Sequence, residues 1–211
     1  MTRPARAERL ALADTLDQYG PDAPTLCGDW TTAELAAHLV IRERRPLAAA
    51  GIAIPFLADR TDRETRALAR DTPYGELVDL VRSGPPAWHP ARIGVIDDQV
   101  NLIEMYVHHE DVLRALDPSA RRPVPLPVRD VLWKRLKLMA RLLYAKSPVA
   151  VRLLGSRGSI TAKADGDGQV DVHGSPGELI LFGFGRQQVA GVELIGAPAA
   201  VEQLRTAPLG L

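Results

Sequence analysis

Near residue 147 the spacing of apolar residues changes, and that change constrains the fold of this 211-residue chain more than any other feature. Upstream, apolar positions recur three and four apart, the period at which they share one face of a helix. Downstream, β-rich runs alternate with glycine, as in GSRGSITAKADGDGQVDVHGSPGE, the pattern of short strands and tight turns. The chain therefore reads as α+β, with a boundary between Lys146 and Pro148. Residues 1–146 are expected to form a helical bundle and residues 147–211 a small α+β domain. A unit of about 65 residues buries little apolar surface alone, so the second domain is expected to dock on the first.

Four main helices are predicted upstream, over residues 4–18, 32–48, 97–116 and 127–145, with shorter helical pieces between 61 and 83. Four such helices make a four-helix bundle. The second has the sharpest start, because Thr31 can cap it and Glu34, three residues later, completes a capping box. The proline-dense segment from Asp117 to Pro127 cannot be helical and reads as a crossover between the last two helices. Downstream, strands are predicted over residues 149–154, 159–164, 170–173 and 192–195. A helix is expected to start at Ser175, with Pro176 in the first helical position and Glu178 in the third. A last helix is placed over 198–204.

Lys+Arg and Asp+Glu number 26 each, which removes the global basic field of a protein that binds nucleic acid through its phosphates. The single cysteine, Cys27, allows no internal disulfide and no four-cysteine zinc site, so a bound metal would be held mainly by His and carboxylate. The N-terminal residues lack the pattern of a secretory leader, and no apolar run is long enough to span a bilayer. The expectation is a cytoplasmic protein without a membrane partner.

The chemistry concentrates on the long helix, Asp97-Asp-Gln-Val-Asn-Leu-Ile-Glu-Met-Tyr-Val-His-His-Glu-Asp-Val. Val100, Ile103 and Val107 mark its apolar stripe, and Glu104, His108 and Asp111 fall on or beside it at i, i+4 and i+7. Burying a carboxylate without compensation is costly, and a shared cation would relieve that cost. A Glu–His pair satisfying itself inside a bundle is the plainer explanation. His38 tips the balance, because on the second helix it shares a face with Leu35, Leu39 and Arg42 and also projects inward. Two His and one carboxylate form a catalytic composition, since three protein ligands leave a position open to water or substrate. Zinc suits this set, as does non-haem Fe(II). Asp111 would orient a ligand or a bound water, or pair with an arginine. His109, rotated about 100° from His108, should point away from the site.

The remaining candidates read as structural. Cys27 is expected to be a small buried hydrophobe with no His beside it, while His89 and His173 have no partner at ligand spacing. Asp165-Gly-Asp-Gly168 lacks the later ligands of a calcium loop and is better explained as a hairpin turn.

Trp30-Thr-Thr-Ala-Glu-Leu-Ala-Ala-His38-Leu, followed downstream by Glu104-Met-Tyr-Val-His108-His-Glu-Asp111-Val, resembles the DinB-like, mycothiol-dependent maleylpyruvate isomerase superfamily. The segment Val172-His-Gly-Ser-Pro-Gly-Glu-Leu-Ile-Leu-Phe-Gly-Phe-Gly-Arg186, with Val192-Glu-Leu-Ile-Gly196, is similar to that isomerase's second domain, so the resemblance covers nearly the whole chain. It implies a DinB-like four-helix bundle in which His38, Glu104 and His108 hold a metal, usually zinc, with Asp111 at the acidic position that follows. It also implies a low-molecular-weight thiol such as mycothiol as cosubstrate, for isomerisation or thiol transfer on a small electrophilic molecule. Arg186 matches the family's Gly-Arg position; its guanidinium would either clamp a substrate carboxylate or cap a helix C-terminus.

Three other readings stay open: a metal-binding module without a reaction, a metal-dependent hydrolase, and an Fe(II) oxygenase, although the last usually sits in a β-barrel. In the loop over residues 51–96, including Trp88, nothing informs on the substrate.

Overall fold

The computed structural model describes residues 3–45, 58–87 and 101–210. The start expected for the long helix, with Asp97 and Val100, and the loop holding Trp88 and His89 lie outside the described residues, as does the end expected for the second helix. The described chain is mixed, with eight helices and one four-stranded sheet, an α+β protein. Among the described residues no helix is long and apolar enough to cross a membrane.

Two compact units divide the chain, Met1–Ala120 and Arg121–Leu211. The first holds α1 (Pro4–Tyr19), α2 (Thr32–Arg44), α3 (Ala58–Asp71), α4 (Tyr74–Ser83) and α5 (Leu102–Leu116). Pro4 opens α1 and Gly20, at φ 75°, closes it. At the start of α2 the Thr31 side chain accepts the Ala33 N–H at 3.2 Å while the Glu34 carboxylate accepts the Thr31 N–H at 2.8 Å, the capping box expected there. Leu12 and Leu16 of α1, Leu35 and Leu39 of α2, Leu77 and Val81 of α4 and Met105 of α5 are buried in one cluster.

Two ion pairs are buried within this unit. Arg9 of α1 forks onto Glu43 of α2 through Nη1–Oε2 at 2.8 Å and Nη2–Oε1 at 2.5 Å, both side chains 3% exposed. Glu110 and Arg114 pair one turn apart on α5 at 2.6 Å, and both are buried. A bidentate guanidinium–carboxylate pair satisfies most of the hydrogen-bonding demand of two buried charges at once.

The second unit holds α6 (Leu126–Leu143), β1 (Ala150–Gly155), β2 (Gly158–Lys163), β3 (Gln169–His173), α7 (Pro176–Gly183), β4 (Glu193–Gly196) and α8 (Pro198–Thr206). Strand order is β2-β1-β3-β4, with β1 antiparallel to β2 and parallel to β3, and β4 antiparallel to β3. The four strands lie within a residue or so of the positions predicted for them. Ser175 caps α7 as expected, accepting the Glu178 N–H.

The boundary differs from the one expected at residue 147. The break falls in the proline-dense segment, and α6 belongs with the sheet. Its buried stripe of Val128, Leu132, Trp133, Leu136, Ala140 and Leu143 serves the second unit. The Trp133 ring lies against Gly155, the Tyr144 hydroxyl donates to the Leu179 carbonyl at 2.9 Å, and Gly210 N–H donates to Leu143 O at 3.1 Å. Helical periodicity reveals which face is buried but not what buries it. The Asp165–Gly168 turn is also not a hairpin, since β2 and β3 flank β1 instead of pairing. Gly166 crosses the end of β1 at φ 147°, where a Cβ would stand 2.5 Å from the Val149 backbone.

Candidate metal centre

His38 extends from the middle of α2, and Glu104, His108 and Asp111 from successive turns of α5. Glu104 Oε1 lies 3.4 Å from His38 Nε2 and 3.2 Å from His108 Nε2. The three residues each offer one donor atom, all within 4.8 Å of one another. The rings of His38 and His108 meet edge to face at 5.4 Å, and Trp30 covers His38 with its centroid 5.1 Å away. The three residues named as ligands from their spacing thus converge.

Asp111 is fully buried and acts on the opposite side of the His108 ring. Its Oδ2 accepts from His108 Nδ1 at 3.0 Å, which leaves Nε2 to face Glu104 and His38. A carboxylate on the far nitrogen fixes both tautomer and ring orientation, the usual arrangement behind a metal-binding histidine.

The charges are finely matched. Burial would raise the Glu104 carboxyl, but hydrogen bonds from His108 and His38, with the Arg42 charge, hold it well below the usual carboxylate range. Burial would lower His108, yet bonding to Asp111, Cys27 and Glu104 raises it well above an ordinary imidazole. His38 is lowered, mainly by burial, despite its contact with Glu104. Without an added cation, His108 therefore carries the proton that Glu104 and Asp111 require, and His38 stays neutral.

Hydrogen bonding alone leaves this cluster incompletely satisfied. His38 is buried, its Nδ1 has no hydrogen-bond partner among the described residues, and its Nε2 contact with Glu104, at 3.4 Å, is longer than a good N–H···O bond. The loose contact is on Nε2, the nitrogen that faces the other two donors, and it is the one a shared cation would replace. Two imidazoles and a carboxylate make a borderline-hard donor set that suits zinc and leaves a position open.

Two residues matter here more than the sequence indicated. Arg42, one turn beyond His38, brings Nε to 3.3 Å from Glu104 Oε1 and donates from Nη1 to Asn101 Oδ1 at 2.6 Å. Its helical spacing from His38 was the available signal. Cys27, expected to have no His beside it, is half-buried with Sγ 3.6 Å from His108 Nδ1, and it donates to Asp111 Oδ2 at 3.1 Å. That expectation is corrected. The Leu26 N–H bonds to the Asp111 carbonyl at 3.2 Å and ties the loop before α2 to α5, a tertiary contact that no local pattern announces.

His109 turns away from the centre. Its Nδ1 donates to Glu8 Oε1 and its Nε2 accepts from the Thr15 hydroxyl, both at 2.9 Å and all buried against α1. Arg186 follows α7 in the second unit, where Nη1 donates to the Phe184 carbonyl at 2.7 Å, the helix-capping alternative. Comparison of the chain with protein-family models, with curated proteins and with solved structures gives no match.

Proposed function

We propose that His38, Glu104 and His108 hold a divalent cation, zinc by the chemistry of the donors, and that the protein is an enzyme acting on a small electrophilic anion with a low-molecular-weight thiol. The observation that carries the metal reading is the convergence of the three donors, with Glu104 Oε1 facing both His38 Nε2 and His108 Nε2. When bound, such an ion supplies Lewis acidity that lowers the pKa of a coordinated thiol or water. Asp111 holds the His108 tautomer. Arg42 supplies positive potential beside Glu104, which favours an anionic substrate and opposes a cationic one.

The chemistry follows from the resemblance to the DinB-like, mycothiol-dependent maleylpyruvate isomerase superfamily, and a DinB-like bundle drawn from the helices of the first unit, without α6, is part of the same proposal. In an isomerase the thiol would add to a conjugated double bond and leave after rotation; in a transferase it would remain on the product. Both place the protein in an intracellular, thiol-rich compartment. Arg186 is retained as a substrate-contact candidate on the strength of the resemblance alone.

The test is an assay of zinc-loaded protein with mycothiol and a panel of electrophilic unsaturated acids, following both free thiol and the ultraviolet absorbance of the acid. A shift of the absorbance with thiol recovered marks isomerisation, and loss of both absorbance and thiol marks transfer; either should disappear in His38→Ala. Zinc-loaded protein inert with every thiol and acid would overturn the enzymatic reading. Turnover of ester or amide substrates in the absence of thiol would transfer it to hydrolysis.

A further inference from the structure

His108 presents its two ring nitrogens to two different groups of donors. Nε2 faces Glu104 and His38. Nδ1 faces Asp111 Oδ2 at 3.0 Å and Cys27 Sγ at 3.6 Å, and the thiol and carboxylate are themselves 3.1 Å apart. This second trio also brings one donor atom from each residue within mutual reach of a single ion. A tetrahedral ion with metal–sulfur bonds of about 2.3 Å and metal–nitrogen or metal–oxygen bonds of about 2.0–2.2 Å has donor–donor edges of about 3.3–3.6 Å. The sulfur–nitrogen separation matches such an edge, and the two separations to the Asp111 oxygen are shorter by up to about half an ångström, so a small outward shift of the carboxylate would seat the ion.

The site is held from both sides of the sequence. Asp111 and His108 are one turn apart on α5, and the backbone of the Cys27 loop is fastened to that helix by Leu26 N–H on the Asp111 carbonyl. The loop is also braced internally, with Cys27 N–H on Thr25 Oγ1 at 3.1 Å and the Thr25 hydroxyl on the Trp30 carbonyl at 2.8 Å. Cys27 therefore needs no loop rearrangement to present sulfur to Asp111.

We propose that Cys27, Asp111 and His108 Nδ1 form a second, thiol-bearing cation position, selective for thiophilic ions such as Cd²⁺ or Cu⁺. Sulfur separates it from the all-nitrogen-and-oxygen set of His38, Glu104 and His108 Nε2, because thiolate prefers soft ions. Uptake displaces the thiol proton of Cys27 and the proton His108 Nδ1 donates to Asp111; both leave to solvent, so the cation is exchanged for protons with no redox step. The two positions share one imidazole. An ion on Nδ1 removes the Asp111 contact that orients the ring and draws electron density from Nε2, so thiophilic ions should weaken zinc binding, and zinc should weaken theirs by the same factor.

The experiment is titration of metal-free, reduced full-length protein with Cd²⁺, following the ultraviolet thiolate-to-cadmium charge-transfer band and the cadmium NMR signal. The wild type should develop the band and a resonance of a mixed sulfur, nitrogen and oxygen environment. Cys27→Ser should lose the band, and His38→Ala should keep it. Asp111→Asn, with helicity checked by circular dichroism, should weaken cadmium binding by about tenfold or more. Absence of the band in the wild type would overturn the proposal. Loss of the band in His38→Ala would do so too, by making Cys27 a ligand of the first position, as would unchanged affinity in Asp111→Asn, by reducing the site to a solitary thiol. Zinc content of His38→Ala tests the first position independently, so either site can fail alone.

Discussion

At the residue scale the centre turns on the His108 ring and what each of its nitrogens meets. The i, i+4, i+7 spacing of Glu104, His108 and Asp111 was legible in the sequence because a helix converts spacing directly into direction. Cys27 was not, because its place depends on one backbone bond from a loop to a helix eighty-odd residues away. The raised His108 pKa sets a pH dependence: at neutral pH the metal-free protein holds a proton there that an incoming cation must displace. Zinc affinity measured against a competing chelator should therefore rise with pH up to the folded-state pKa of His108 and flatten above it. Affinity independent of pH from about 6 to about 9 would contradict the assignment. The metal-free protein follows the opposite rule for this residue. His108's contribution to stability is complete below the ordinary 6.5 and is lost as pH rises through its raised value. Glu104's contribution is complete above 4.5 and is lost as pH falls through its lowered value. His38's, from a lowered pKa, is complete above 6.5 and is lost as pH falls from there through its lowered value. Arg42 competes with any cation for Glu104, so Arg42→Gln should bind zinc several-fold more tightly while weakening any anionic substrate; weaker zinc binding in this variant would show that Arg42 instead holds Glu104 in place.

At the scale of elements, the sequence announced starts and strands well and burial of charge poorly. The Thr31–Glu34 box and the Ser175 cap are local chemistry, and both are present. Arg9 and Glu43 are 34 residues apart and carry no local signal of pairing, yet they meet inside the first unit. Removing one member of such a pair leaves a buried charge uncompensated. Glu43→Ala should therefore cost about 3–5 kcal/mol of unfolding free energy, measurable by urea denaturation, and a loss below about 1 kcal/mol would mean that Arg9 finds water or another acceptor. In the sheet unit, Gly166→Ala combines a disfavoured φ of 147° with a steric overlap on Val149. It should destabilise that unit by about 2 kcal/mol or more, with the metal centre unchanged.

At the scale of the whole molecule, both classes of element were foreseen but the boundary between the units was not. The amphipathic stripe of α6 is the same whether it meets helices or a sheet, so periodicity could not assign it. The prolines between Asp117 and Pro127 do mark a junction, in keeping with the composition of inter-domain linkers. All five residues of the two proposed cation positions belong to the unit Met1–Ala120. The measurement that tests the central claim most directly is elemental analysis of tag-free protein, purified beside His38→Ala. About one equivalent of zinc in the wild type, lost in the variant while helicity is kept, is the predicted result, since three protein ligands define one open site. Metal-free wild type even after reconstitution with zinc, or a variant that retains its full complement, would contradict it and leave Glu104, His38 and His108 as a buried polar cluster.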